Sequence, residues 1–163
     1  MRSLLTLAAL VFVVAYAAHG QRRNDSWLEL LPPGNAQGAV VVSCNGCHSL
    51  KVVVHARRSA PEWGATVNDM IQRGAPVYPE EIALMAAYLA KSFSEATPRL
   101  LNANTASRQD LEKLPGVNAE IAGKIAEARQ KAATLRNAED LRRALGMENA
   151  EFAKIRYFFK YTD

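Results

Sequence analysis

Cysteine is scarce in this chain, two in 163 residues, and histidine nearly so, with three. His19 lies in an N-terminal stretch that reads as a removable leader, which leaves His48 and His55. A zinc site built on one cysteine pair needs two more Cys or His ligands at suitable spacing, so the case for zinc is poor. Long apolar runs are missing beyond residue 20, so no other stretch could span a bilayer. No Ser-His-Asp set and no carboxylate pair points to hydrolysis. Excess charge is also small. Twenty basic and 16 acidic residues leave +4, too mild for an obligate nucleic-acid binder.

Both cysteines fall in one pentapeptide, Cys44-Asn45-Gly46-Cys47-His48. This is the C-x-x-C-H pattern of covalent c-type haem attachment. Two thiols at this spacing can reach the two vinyl groups of one porphyrin, and the adjacent imidazole then lies beneath the iron. The expected cofactor is one covalent haem c, held by Cys44 and Cys47, with His48 as proximal iron ligand. A dithiol redox motif, a lone disulfide and half a zinc site are the alternatives. A thioredoxin-like dithiol belongs at a strand-to-helix junction in a βαβ pattern, and no such pattern is visible.

Residues 1–20 read as a secretory signal peptide. Arg2 supplies the positive start, Leu4 to Ala18 is apolar apart from Thr6 and the Tyr16 hydroxyl, and Ala15-Tyr16-Ala17 fits a cleavage box. Ala18-His19-Gly20 is a second candidate, and an uncleaved anchor is the alternative. Export to the periplasm agrees with haem attachment, which in bacteria takes place outside the cytoplasmic membrane.

Residues 21–36, with Pro32-Pro33-Gly34, read as an extended arm. A haem domain over 37–94 follows, then a linker at 95–100 and a second helical domain over 101–163. Residues 21–97 carry seven basic and seven acidic residues, whereas 98–163 carry twelve and nine. A short helix is expected from about Gln37 to Ser43. Val52-Val53-Val54 is ambiguous between strand and helix. Ser59 and Glu62 have capping-box spacing, with Pro61 tolerated in the first turn. Trp63, Val67, Met70 and Ile71 then share one helical face. Ile82, Met85, Tyr88 and Leu89 do the same on the next helix. Beyond the linker, two rounds of helix, tight turn and helix repeat, with Gly116 and Gly146 thirty residues apart. The second round would carry Phe152, Ile155 and Phe159 on its last helix. The fold class expected is all-α.

A haem iron with one histidine has a sixth position that is either filled or open. Met70, Met85, Met147 and His55 are the candidates in the mature chain. The helical face of Met70 suits a ligand or an ordinary core methionine. CNGCHSL, RRSAPEW, VNDMIQRGAP and EEIALMAAYLAKSF, spanning Cys44 to Phe93, together resemble a class I-type cytochrome c module. The module is similar to the small monohaem subunits that accept electrons from periplasmic dehydrogenases. That resemblance implies Met70 as distal iron ligand. It also marks a departure, because the loop Gly74 to Pro79, where such modules commonly place their methionine, has none. His55 and an open position remain the alternatives. Arg57 and Arg58 are candidates for binding the haem propionates, or a solvated surface pair. Trp63 is a candidate porphyrin contact, or a core residue.

LNANTAS, DLEKLPGVNAEIAGKIAEAR and AEDLRRALGMENAEFAKIR resemble the tandem helix-hairpin-helix domain of competence-type DNA-uptake receptors. In DNA-binding members a hairpin close to L-P-G-I-G lets backbone N–H groups approach a phosphate. Here Asn118 and Glu148 stand at the second glycine positions. Asparagine crowds a phosphate and a carboxylate repels one. Similar folds serve as protein-docking modules. The expectation is therefore a periplasmic monohaem electron carrier, not an enzyme, docked on a periplasmic redox protein or dehydrogenase through its second domain. A haem-carrying, sequence-independent DNA-binding or uptake protein is the alternative. A haem sensor or small peroxidase is a third reading, and it needs an open sixth position.

Overall fold

A computed structural model describes residues 26–131 and 134–162. The leader read over residues 1–20 and the start of the arm lie outside the described residues. The described chain is all-α. It holds eight α-helices, two 3-10 turns and one pair of two-residue strands. No described helix is long and apolar enough to cross a membrane.

The N-terminal part is built from α1 (Gln37–Cys44), α2 (Lys51–His55), α3 (Ala60–Gln72) and α4 (Pro79–Ser92). Helix α3 starts where its sequence allows. Glu62 Oε2 accepts the Ser59 backbone N–H at 2.8 Å and the Ser59 hydroxyl at 2.7 Å, while Pro61 sits in a first turn that needs no donor from it. Helix α4 repeats the device, with Glu81 accepting the Tyr78 N–H at 3.0 Å. Trp63 and Val67 of α3 share a core with Met85, Ala86, Tyr88 and Leu89 of α4, and with Val40 of α1. The Trp63 indole N–H and the Arg58 N–H both donate to the Phe93 carbonyl, pinning the start of α3 to the end of α4.

One expectation is corrected here, and one open reading is closed. The arm is not extended throughout: Ser26–Leu30 is a 3-10 helix that buries Trp27 and Leu30 in the first core. Tyr88 then donates its hydroxyl to the Pro32 carbonyl at 2.7 Å. Apolar residues two to four apart pulled this segment inward, so it belongs to the first domain. The valine run Val52 to Val54 is helical, because a strand there would have no partner for its backbone groups.

The second cluster contains β1 (Leu101–Asn102), α5 (Arg108–Glu112), α6 (Ala119–Lys131), α7 (Ala138–Leu145), α8 (Asn149–Phe152) and β2 (Phe159–Lys160). Leu111, Ala122, Ile125, Leu141, Leu145 and Phe152 meet in its core. A second correction falls here. The last helix stops at Phe152, and Phe159 lies on a strand paired in parallel with Leu101. That pairing joins the two ends of the domain. Arg57 secures the linker between the clusters by donating to the Thr97 and Pro98 carbonyls at 3.1 and 2.6 Å. Arg156 reaches back to the Glu29 carbonyl at 3.4 Å.

Candidate functional site

Helix α1 ends at Cys44, so the pentapeptide leaves the helix in a turn. Cys44 is half-buried, Cys47 is exposed, and both are free thiols. Burial pushes the Cys44 thiol up to about 11. A dithiol built for nucleophilic exchange needs the opposite shift, so that alternative loses ground. No group of three or more His, Cys, Asp or Glu that could hold a metal occurs among the described residues, which weighs against zinc.

His48 is half-buried, with Nδ1 3.1 Å from the Ser49 carbonyl oxygen. A carbonyl oxygen only accepts, so Nδ1 is the donor in this contact, and in the neutral ring that leaves the lone pair on Nε2. This is the usual preparation of an imidazole for metal ligation. Val42, two residues before Cys44, and Val52, four after His48, are 56% and 59% exposed. Tyr78 is 68% exposed and follows Pro76, whose carbonyl accepts the Ser43 hydroxyl at 2.9 Å. The segments before and after the motif thus leave Val42 and Val52 uncovered.

Of the sixth-ligand candidates, Met85 is absorbed into the first core and Met147 into the second. Met70 is half-buried at the margin of its helical face, where Ile71 packs on the core in its place. The Met70 carbonyl accepts the Ala75 N–H at 2.9 Å, and the neighbouring Pro76 bonds Ser43. The turn after Met70 is therefore tied to the end of α1 that bears the thiols. His55 is exposed, its Nδ1 lies 2.9 Å from the Lys51 carbonyl, and Trp27 meets its ring edge-on at 4.9 Å. Burial, then the nearby Lys160, Lys51 and Arg57 charges, hold it below the usual histidine range.

The arginine and tryptophan candidates divide. Arg57 commits four of its five N–H donors to the Val54, Ala56, Thr97 and Pro98 carbonyls, so it clamps the backbone and keeps one donor for anything else. Trp63 is 2% exposed with its N–H already bonded, so it is a core residue here. Arg58 lies over the Trp63 ring at 5.0 Å, and its guanidinium makes no hydrogen bond among the described residues. Ser43 was invisible as a site residue in the sequence, since only the tertiary structure brings Pro76 to it.

The second cluster presents two hairpin turns. Gly116 and Gly146 adopt φ of +78° and +64°, the left-handed region that favours glycine. Asn118 Oδ1 accepts the Ile121 N–H at 2.9 Å, so a side chain of this chain occupies one of the donors a phosphate would use. Glu120 follows in the first turn of α6 and pairs with Lys124 at 2.8 Å. At the second hairpin Glu148 is the residue before α8, and Glu151 lies in its first turn. Between α6 and α7 runs a cleft of about 370 Å³ whose walls include Lys131, Arg136 and Arg143. Those cations face Glu127, Asp140 and Glu139 in ion pairs. The cations of this cleft are therefore paired, although the domain as a whole keeps twelve basic residues against nine acidic ones.

Fold and turns together define a helical chain whose C-terminal part is a double-hairpin unit. Residues 99–160 match the family of the helix-hairpin-helix motif. No cytochrome family matches the N-terminal part. No curated protein and no solved structure matches the chain.

Proposed function

We propose that the chain is an exported monohaem c-type cytochrome that carries electrons, with its helix-hairpin-helix domain as the docking module. The observation that carries this reading is the C-x-x-C-H pentapeptide at the end of α1 with His48 Nδ1 on the Ser49 carbonyl. Cys44 and Cys47 would hold the haem by thioethers, His48 by Nε2, and Met70 from the distal side. When bound, the haem supplies a one-electron iron couple. The protein's own work is to orient His48, to cover the ring with apolar side chains and to limit water at the iron. Arg58 is the remaining candidate for a propionate. The chain is a carrier in this reading, acting in the periplasm on a redox protein or dehydrogenase.

Protein docking is favoured over DNA because Asn118 and Glu148 occupy the positions where a phosphate would sit. The DNA reading draws on the helix-hairpin-helix match itself and predicts salt-dependent binding to any duplex. No gel shift at low salt eliminates it.

The test of the cofactor is direct. Export of the full chain in a host with haem-attachment machinery should give a covalent haem band in a denaturing gel, absent from the variant carrying Cys44→Ser and Cys47→Ser. A colourless wild-type protein rejects the reading.

A further inference from the structure

We propose that Ser43 is a positioning residue whose hydroxyl straps the turn after Met70 to the thiol-bearing helix, and so holds Met70 as distal ligand; this rests on the haem reading above. Ser43 directly precedes Cys44 and is 6% exposed. A buried hydroxyl is kept where its bond is made, and Ser43 makes its bond to the Pro76 carbonyl across 33 residues of sequence at 2.9 Å.

The bonds form a continuous run. Gly74 N–H donates to the Ile71 carbonyl at 2.9 Å, Ala75 N–H to Met70 at 2.9 Å, and Val77 N–H to Ala75 at 3.0 Å. Gly74 makes this reversal at φ +94°, where a side chain is strained. Pro76, in the middle of the run, hands its carbonyl to Ser43. Val67 and Ile71 pack on the core, while Met70, half-buried, is not among the residues packed on it, so the core does not hold Met70 as it holds its neighbours. Methionine also has three rotatable bonds. A thioether that must meet one point in space then depends on how firmly its backbone turn is held, and Ser43 supplies that hold from the helix that carries the haem.

The test uses the full, haem-loaded chain in its ferric form, with imidazole as competing ligand. The rate at which imidazole displaces the distal ligand is followed by absorbance, and thermal unfolding is measured alongside. Ser43→Ala should raise the rate roughly two- to tenfold, the effect of losing one net hydrogen bond. Ser43→Thr, which keeps the hydroxyl, should stay near wild type. Gly74→Ala should raise the rate by straining the same turn, and it serves if Ser43→Ala does not fold. Tyr88→Phe removes the hydroxyl bond to Pro32 and should lower stability without changing the rate. If Met70→Ala speeds displacement but Ser43→Ala and Gly74→Ala match wild type, the strap is overturned and the haem reading stands. If Met70→Ala itself matches wild type, Met70 is not the ligand and the strap falls with it. A colourless wild type removes both.

Discussion

Around Cys44 to His48 the chain packs one thiol, Cys44, against the core and leaves Cys47 and His48 more open, whereas around the hairpin turns it engages polar groups with its own side chains. His48 keeps Nε2 unused, Cys47 is exposed, and Val42, Val52 and Tyr78 stand in solvent. In the hairpin domain Asn118 caps α6, and Arg129 donates to the Ala103 and Ala106 carbonyls at 2.6 and 2.8 Å. Lys113 and Lys124 are both paired with carboxylates. The hairpin domain commits the cations beside its turns to its own carboxylates and still keeps an excess of positive charge, twelve basic residues against nine acidic ones over 98–163.

The comparison can be strained from both sides. Arg57→Ala should give the largest loss, about 2–3 kcal/mol by denaturant unfolding, because four carbonyls lose a charged donor at once. A near-neutral result would break the view that Arg57 is structural and return it to the haem. Gly116→Ala should cost about 2 kcal/mol, since φ is +78° and the new Cβ would lie 3.1 Å from Ile155 Cγ2. That loss should appear in unfolding while haem attachment is untouched. Asn118→Gly combined with Glu148→Gly should raise low-salt affinity for duplex DNA about tenfold in a gel-shift titration. Wild-type binding as strong as that of the variant would show that the two substitutions do not close the hairpins.

Glu62→Gln gives the smallest effect, and it is one of pH. The Ser59 side-chain bond, then its backbone N–H, holds the Glu62 carboxyl below its ordinary value. A depressed carboxyl stabilises above its unfolded value of 4.5, and the contribution disappears as pH falls through the lower folded value. Acid unfolding followed by circular dichroism should therefore lose part of its pH dependence in Glu62→Gln. Identical acid profiles would mean that the Ser59 cap contributes nothing to α3.

Much of this molecule could be read along the chain because the determining interactions are local. The start of α3 follows from Ser59, Pro61 and Glu62 within four residues, and the buried face of α4 follows from the spacing of Met85, Tyr88 and Leu89. The hairpins declare themselves through Gly116 and Gly146. Periodicity failed where a segment was too short to have a period. The 3-10 turn at Trp27 and the strand at Phe159 each depend on a partner far away in sequence. At the site, the two thiols and His48 were legible as one pentapeptide. The roles of Arg57 and Trp63 were not, since hydrogen bonds to Thr97, Pro98 and Phe93 decide them.

The sequence by itself determined the all-α class, the double hairpin and the grouping of Cys44, Cys47 and His48, because short-range geometry and side-chain chemistry suffice for these. Only the tertiary structure decided that Met70 stands off the core although its helical face covers it, and that Ser43 meets the turn beyond Met70. The physical reason is that burial and long-range hydrogen bonds are properties of the packed chain. A residue acquires them from neighbours that its own stretch of sequence does not contain.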